Sequence, residues 1–180
     1  MRSNAFWPSG VTTYNIVEHT GGQMDPTRRT DPHTLTITRI FAASRQVVFD
    51  AWTNAESVRQ WMCPEAGSVA LAELDVRVGG TFRIDMLVHG ARTVHTGVYR
   101  EIRPPEKLVF TWKSQSTQQI ATLVTVELRA RGDQTELTLT QTRLPDDGAV
   151  QMHTRGWTQI MEHLAAFVQV SQRTPDTEAP

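Results

Sequence analysis

The sequence contains very little cysteine. Cys63 is the only thiol among 180 residues, so no disulfide can form within the chain. Disulfides are common in proteins that fold in oxidising compartments, and a single thiol favours a reducing cytoplasm. The N-terminus lacks a basic segment followed by an apolar core, so no secretory signal is predicted. No apolar run approaches the length of a membrane span, and we expect a cytoplasmic protein that does not insert into a membrane.

An excess of basic charge and the common motifs for metals and phosphates are missing as well. The formal net charge is -1, so a nucleic-acid-binding surface is not expected. None of the six histidines is spaced with cysteine or acidic residues as zinc ligands are. Gly79 and Gly80 lack the surrounding pattern of a phosphate-binding loop and precede a strand, which favours an ordinary turn. The sequence therefore predicts no metal site and no cofactor.

What the sequence does contain is one long amphipathic helix, predicted at about residues 149–171. Its apolar positions recur at steps of three, four and seven, which is the spacing of a single helix face. These positions are Val150, Trp157, Met161, Leu164 and Val168. Such an apolar helix is not stable alone in water and needs a large complementary surface. Gly156 lies inside it, where glycine typically costs about 1 kcal/mol relative to alanine. We therefore expect a strand, a side chain or a ligand close to Gly156.

The complementary surface is predicted to be an antiparallel sheet. An alternating strand at residues 34–38 precedes two short helices, which begin at the N-caps Ser44 and Asn54. About six strands follow between residues 68 and 141, and their short links favour an antiparallel meander. This order predicts an α+β fold. Residues 1–32 are expected to form a poorly ordered leader, residues 33–171 the domain, and residues 172–180 a flexible tail.

Several short motifs follow one another along the predicted domain. They are Val-Phe-Asp-Ala-Trp-Thr at 48–53 with Trp61, Asp-Val-Arg-Val-Gly-Gly-Thr-Phe-Arg at 75–83, Gly-Val-Tyr-Arg-Glu-Ile at 97–102, the segment 104–112, Val-Thr-Val at 124–126, Thr-Glu-Leu-Thr-Leu at 135–139 and Gly156-Trp157. Their order and spacing resemble the Hsp90-ATPase-activator-homologue-like family of the START/Bet v 1-like superfamily. The resemblance covers about residues 34–169.

The resemblance implies a helix-grip fold. In this fold a curved antiparallel sheet wraps around a long C-terminal helix, two short helices follow the first strand, and a hydrophobic cavity lies between helix and sheet. Relatives include lipid and hormone carriers, polyketide cyclases and aromatases, antibiotic-resistance proteins and a co-chaperone. The fold by itself therefore leaves the function open.

Aromatic and methionine side chains are the predicted lining of this cavity, because they suit planar or irregular apolar ligands. The candidate ligand-binding residues are Trp61, Phe82, Met86, Tyr99, Phe110, Trp112, His153, Trp157 and Met161. The apolar members are also natural core residues. His153 lies one helical turn before Trp157, from where it would donate a hydrogen bond to a ligand or act as a general acid. A surface or capping histidine is the alternative interpretation.

Three hypotheses for function follow. The favoured one is binding of a small hydrophobic, aromatic or polyketide-like molecule without transforming it, for transport, sequestration or natural-product resistance. The alternative is a cyclase or dehydratase that uses His153, Asp85, Tyr99 or Cys63 in the same cavity. Asp85 and His95 lie on strands that could pair, and a suitable register would make a polar contact between them. Cys63 is more simply a buried hydrophobe. The third is an interaction protein that modulates a chaperone. We expect a monomer or a weak homodimer.

Overall fold

The computed structural model describes residues 13–14, 33–64 and 67–171 of the chain. The described residues form eight strands, three α-helices and one short 3-10 helix. In chain order these are β1 (Thr13–Tyr14), β2 (Leu35–Phe41), α1 (Arg45–Thr53), α2 (Ala55–Trp61), β3 (Ser68–Leu74), β4 (Thr81–Val88), β5 (Ala91–Arg103), β6 (Lys107–Trp112), the 3-10 helix (Gln115–Thr117), β7 (Thr122–Arg131), β8 (Gln134–Thr142) and α3 (Asp147–Ser171). Apart from the two-residue β1, this is the order of a strand, two short helices, six strands and a long helix, which confirms the predicted α+β architecture.

The strands of the described chain form one curved antiparallel sheet in the order β1–β2–β8–β7–β6–β5–β4–β3. From β3 to β8 each strand pairs with its neighbour in sequence, as a meander does, and β2 lies beside β8 with Ile37 opposite Leu139. The 13-residue β5 pairs with β4 through its first half and with β6 through its second half. This long strand therefore connects the two ends of the sheet, and its inward face reaches both cavities described below.

The helix ends follow local signals in the sequence. The side chains of Ser44 and Asn54 each accept a backbone N–H from the first turn of their helix, at 3.4 and 3.0 Å, which confirms both predicted N-caps. The helix α3 begins at Asp147, two residues earlier than expected. Its start is fixed by the Asp146 carboxylate, which accepts the N–H of Ala149 at 2.8 Å and satisfies a donor that the helix leaves open.

The buried face of α3 lies against the concave face of the sheet. The buried positions are Ala149, His153, Trp157, Ile160, Met161, Leu164, Ala165 and Val168. They recur at steps of three and four, so the predicted amphipathic helix is confirmed, although Val150 is only partly buried. His153 is the one polar residue among these buried positions. A polar side chain on a buried face requires a hydrogen-bond partner, and the partners of His153 belong to the site described below.

The ends of the chain fall largely outside the described residues. Thr13 and Tyr14, which belong to the predicted leader, pair with Thr38 and Ile37 at the free edge of β2. The rest of the leader at residues 1–32 and the predicted tail at residues 172–180 lie outside the described ranges. Among the residues that the structure describes, no helix is both long and apolar enough to cross a membrane.

Candidate ligand-binding cavity

The space beneath α1 and α2 is filled by aromatic rings, and we call it the closed end. Phe82 contacts Phe110 edge to face with ring centroids 5.6 Å apart, and Tyr99 lies 5.7 Å from Phe82. Trp52 of α1 packs on Phe110 at 6.2 Å. The void left here is about 20 Å³ and is lined by Trp52, Val58, Met62, Leu74, Phe82, Ile84, Tyr99, Leu108, Phe110 and Trp112. It has room for no more than a water-sized guest.

A larger cavity, which we call the open cavity, lies between the N-terminal half of α3 and the ends of β4 and β5. Its volume is about 180 Å³. It is lined by Pro64, Met86, Val88, Thr93, His95, Trp112, Ser116, Met152, His153, Gly156, Trp157 and Ile160. Most of this surface is apolar, and Met152 at its rim is 45% exposed to solvent. The cavity thus joins an apolar interior to the protein surface.

A buried chain of hydrogen bonds fixes the two tryptophans of the open cavity. Trp157 Nε1 donates to Gln141 Oε1 at 2.7 Å, and Gln141 Nε2 donates to the Thr122 hydroxyl at 2.8 Å. That hydroxyl donates in turn to the carbonyl of Trp112 at 2.7 Å. The ring centroids of Trp112 and Trp157 lie 5.2 Å apart. Because Trp157 Nε1 already has a partner, the indole offers the cavity an apolar surface and no donor.

His153 is held in one tautomer. Its Nδ1 lies 2.8 Å from the carbonyl of Ala149, and because a carbonyl only accepts, Nδ1 carries the proton. In the neutral ring Nε2 is then an acceptor, and the Ser116 hydroxyl donates to it at 3.4 Å. Ser116 Oγ also accepts from Ser114 Oγ at 2.6 Å. Burial lowers the pKa of His153, although the bond to Ala149 opposes this effect, so the ring is neutral near pH 7.

His95 supplies a second buried imidazole to the same cavity. Its ring stacks on Trp112 with centroids 4.7 Å apart, and only 8% of the residue is exposed. Burial, with a further contribution from the nearby His153, lowers the pKa of His95 to about 4. The open cavity therefore contains two neutral imidazoles at physiological pH. The sequence carries a signal for His95, because strand alternation places it on the same face of β5 as Tyr99.

The predicted ligand-binding residues divide between three environments. Met86, Trp112, His153 and Trp157 line the open cavity. Phe82, Tyr99 and Phe110 line the closed end, which Trp112 also borders. Trp61 and Met161 border neither space and are buried in the surrounding core. Ligand binding by any of these residues stays a prediction, and sequence reasoning did not place Thr93, Ser116 or Met152 at the site.

Asp85 lies on the outer face of the sheet, away from the open cavity. Strand pairing places Ile84, not Asp85, opposite His95, so the expected contact between Asp85 and His95 does not form. Arg83 donates to the Asp85 carboxylate at 2.9 and 3.1 Å, and Arg92 donates to it as well. These bonds, chiefly those from Arg83, hold the pKa of Asp85 below its ordinary value. Asp85 is therefore an ion-paired carboxylate and is not placed to act as an acid in the cavity.

Two other candidates for chemistry also lie away from the open cavity. Cys63 is buried, with 5% exposure, and does not belong to its lining. Tyr99 belongs to the closed end, where burial raises its pKa to about 12. Gly156 does line the cavity, but a Cβ at this position would meet no atom within 4 Å. The expected close approach of a strand or side chain to Gly156 is therefore wrong, and the glycine opens onto the cavity instead.

A groove of about 720 Å³ lies on the outer face of the sheet. Charged side chains line much of it, including Glu73, Asp75, Arg83, Arg100 and Lys113. Apart from Phe82, none of the predicted ligand-binding residues borders it. Within the described ranges, no three or more His, Cys, Asp or Glu residues are grouped so that they could hold a metal ion. The open cavity is the space that combines apolar walls with a few convergent polar groups.

The sequence of this chain matches a known protein family. The model of the family described as "Activator of Hsp90 ATPase homolog 1-like protein" matches residues 42–169, more than two thirds of the chain. The chain belongs to this family. No curated protein sequence matches it significantly. The match confirms the resemblance seen in the sequence, and with it the membership of the Bet v 1-like superfamily.

Solved structures of other proteins show the same fold. A protein from Chromobacterium violaceum is 26% identical with a TM-score of 0.71, and the match covers 77% of this chain and 98% of that one. An HSP90 activator from Plasmodium falciparum is 25% identical with a TM-score of 0.62, over 76% of this chain and 96% of that one. CalU16 from Micromonospora echinospora is 19% identical with a TM-score of 0.62, over 92% and 90%. The last likeness shows the fold alone.

Proposed function

We propose that the protein binds a small aromatic molecule in the open cavity and holds it without transforming it. The observation that carries the proposal is the cavity of about 180 Å³ between α3 and the ends of β4 and β5. Its walls come from two tryptophans, two methionines and aliphatic side chains, which favour a planar apolar guest. Removal of the guest's apolar surface from water would supply most of the binding free energy.

The volume limits the size of the guest. An engineered apolar cavity of about 150 Å³ in another protein holds benzene, whereas pockets for drug-sized ligands measure about 300–1,000 Å³. A cavity of about 180 Å³ therefore suits one aromatic ring with small substituents. It is too small for a multi-ring polyketide unless the rim opens. Met152 lies at the rim and is 45% exposed, and its flexible side chain is suited to moving aside for entry.

The proposal is tested by filling the cavity from Gly156. No atom lies within 4 Å of the position where its Cβ would be, so leucine there would extend into the cavity. The matched control is Arg155→Leu, which adds leucine to the exposed side of the same helix. Wild type and both variants are titrated with single-ring aromatics by calorimetry, with thermal melts in parallel. Product analysis after incubation tests for turnover.

We expect wild type and Arg155→Leu to bind and to melt at higher temperature with ligand, because a ligand that binds only the folded state stabilises it. Gly156→Leu should lose binding while it keeps its fold. Ligand binding should also change the tryptophan fluorescence emission of the wild type, since Trp112 and Trp157 line the cavity. Equal binding by wild type and a folded Gly156→Leu would place the ligand elsewhere, and conversion of the compound would favour an enzyme.

A second candidate is modulation of an Hsp90-type chaperone. It is favoured by the family match and by the 25% identical Plasmodium falciparum protein, which is described as an HSP90 activator. The test is the ATPase rate of a purified Hsp90 with increasing amounts of this protein. Gly156→Leu serves as the discriminating variant, because a cavity-dependent role would be lost in it and a surface-dependent role would be kept.

A further inference from the structure

We propose that the natural ligand of the open cavity is a hydroxyl-bearing aromatic of the phenol class, whose O–H donates a hydrogen bond to Nε2 of His153. This inference rests on the proposed function and names the chemistry of the guest. It is carried by the tautomer of His153, by the poor partner that Nε2 has now, and by the absence of charged groups from the cavity wall.

The tautomer decides what His153 offers. Nδ1 donates to the Ala149 carbonyl at 2.8 Å, within the same helix, so this bond is independent of any ligand. Nε2 is consequently left with a lone pair. Burial also lowers the pKa of His153, which keeps this lone pair available at physiological pH. The cavity thus presents a fixed hydrogen-bond acceptor, and a guest that carries a donor is favoured over one that carries only acceptors.

The present partner of Nε2 is a weak one. Ser116 Oγ lies 3.4 Å from Nε2, longer than the distance of about 2.7–3.2 Å at which such bonds are usually formed. Ser116 is at the same time only 2.6 Å from Ser114 Oγ. Ser116 itself is half-buried and borders the open cavity, so its hydroxyl has room to turn away. A phenolic hydroxyl at an ordinary distance would satisfy the buried acceptor better than Ser116 does.

The remaining wall argues against a charged guest. None of the residues that line the open cavity is lysine, arginine, aspartate or glutamate. Both imidazoles are neutral near pH 7, because burial lowers their pKa values. A carboxylate or an ammonium would enter without a counter-charge and would lose its hydration. A neutral donor on an aromatic ring avoids this cost, and the rings of Trp112 and Trp157 provide the surface for its apolar part.

The test compares p-cresol with p-xylene, which share a shape and differ in a hydroxyl in place of a methyl group. The measured quantity is the ratio of their affinities, so differences in overall hydrophobicity cancel between variants. His153→Phe keeps a planar ring and removes the acceptor, whereas His153→Gln keeps an acceptor at a similar reach. A neutral hydrogen bond contributes about 0.5–1.5 kcal/mol, or roughly 2- to 12-fold in affinity.

We expect His153→Phe to lower the cresol-to-xylene ratio by roughly 2- to 12-fold, and His153→Gln to retain most of the wild-type ratio. Ser116→Ala should change the cresol-to-xylene ratio in the opposite direction, and Ser116 is half-buried. It removes the competing hydroxyl, so p-cresol should bind more tightly while p-xylene is unaffected. Weaker cresol binding in Ser116→Ala would mean that the ligand bonds to Ser116 and would overturn the inference.

The outcomes separate this inference from the proposed function. If wild type binds neither compound nor any other single-ring aromatic, the proposed function fails. If both compounds bind wild type and the ratio is the same in a folded His153→Phe, only the inference fails. Should His153→Phe not fold, the ratio in Ser116→Ala decides, because an unchanged ratio there contradicts competition for Nε2.

Discussion

The closed end and the open cavity are built from similar side chains, but the closed end is packed and the open cavity is not. At the closed end, Phe82, Tyr99 and Phe110 interlock beneath Trp52, and about 20 Å³ remains unfilled. In the open cavity, about 180 Å³ remains between aromatic and methionine side chains. Trp112 borders both spaces, so one ring separates a packed core from a cavity.

The difference comes from the covering helices. Over the closed end, α1, α2 and the C-cap residue of α2 supply Trp52, Val58 and Met62, which are large enough to fill the space. Over the open cavity, α3 supplies Gly156 and the polar His153 beside Trp157. Small and polar residues thus stand where large apolar ones would close the core. Protein interiors are otherwise close-packed, so a space of this kind is consistent with the ligand-binding role proposed above.

The largest effect should come from emptying the closed end. Phe110→Ala removes a ring that contacts Phe82, Tyr99 and Trp52, and we expect a loss of about 3–5 kcal/mol in the free energy of unfolding. Met152→Ala at the exposed rim of the open cavity should change it by less than about 0.5 kcal/mol. Urea unfolding measures both. Similar losses in the two variants would show that the rim is as tightly packed as the closed end.

The second effect is a dependence of stability on pH that originates in the open cavity. The pKa of His95 is about 4 in the folded chain against an ordinary value of 6.5, so the unfolded state takes up a proton first as pH falls. The contribution of His95 to stability is therefore present above pH 6.5 and is lost as the pH falls towards 4. At about 1.36 kcal/mol per pKa unit, the loss between pH 7 and pH 4 is about 3 kcal/mol.

His95→Phe tests this assignment, because it keeps a ring over Trp112 and removes the titrating group. The variant should lose about 3 kcal/mol less than wild type between pH 7 and pH 4. His153 also has a lowered pKa and contributes in the same direction, so His153→Phe is measured alongside. Parallel pH profiles for wild type and His95→Phe would contradict a neutral, buried His95.

The third effect concerns the buried bonds beneath the open cavity. Trp157→Phe leaves Gln141 Oε1 without its donor, and a buried unpaired acceptor costs about 1–3 kcal/mol. Combining Trp157→Phe with Gln141→Leu should recover part of that loss, because the acceptor is removed with its donor. Thermal and urea unfolding of the two variants provide the comparison. No recovery in the double variant would mean that the loss comes from the ring contacts or from the bond between Gln141 and Thr122, not from the unpaired acceptor.

Much of the fold could be predicted from local sequence signals. The helix α1 begins after the predicted N-cap Ser44 because an N-cap and the apolar spacing that follows it are both local features. Alternation along a strand is likewise a local feature, and it places Phe82, Ile84 and Met86 on the buried inward face of β4. The same alternation places Asp85 on the outer face, and applying it there would have removed Asp85 from the candidate acids.

The division into closed end and open cavity could not be predicted from local sequence signals. Phe82 and Met86 lie on one face of one strand, yet they border different spaces, because different helices cover them. The partner of His153 comes from a 3-10 helix 37 residues earlier, which no local pattern connects to α3. Contacts of this kind depend on tertiary packing, and they decide both the present partner of His153 Nε2 and the volume of the cavity.

The fourth effect is a loss of stability on adding a side chain at Gly97, which lies beside the closed end. A Cβ at Gly97 would lie 1.9 Å from the Thr111 carbonyl oxygen and 2.4 Å from the ring of Phe82. The backbone would have to move, and overpacking of this kind typically costs about 1–3 kcal/mol. We therefore expect Gly97→Ala to destabilise the protein in urea unfolding. Unchanged stability would show that β5 and β6 separate easily where they meet.

The smallest effect comes from the same substitution at the open cavity, and its sign should be reversed. A Cβ at Gly156 meets no atom within 4 Å, so Gly156→Ala introduces no clash. Alanine inside a helix is favoured over glycine by about 0.5–1 kcal/mol, and the variant should be more stable by that amount. The added methyl group points into the cavity and should weaken binding of single-ring aromatics. Urea unfolding and ligand titration of Gly156→Ala together decide whether the helix gives up stability to keep the cavity open. Higher stability with unchanged binding would mean that the ligand does not reach Gly156, and lower stability would mean that the helix closes on the sheet at this point.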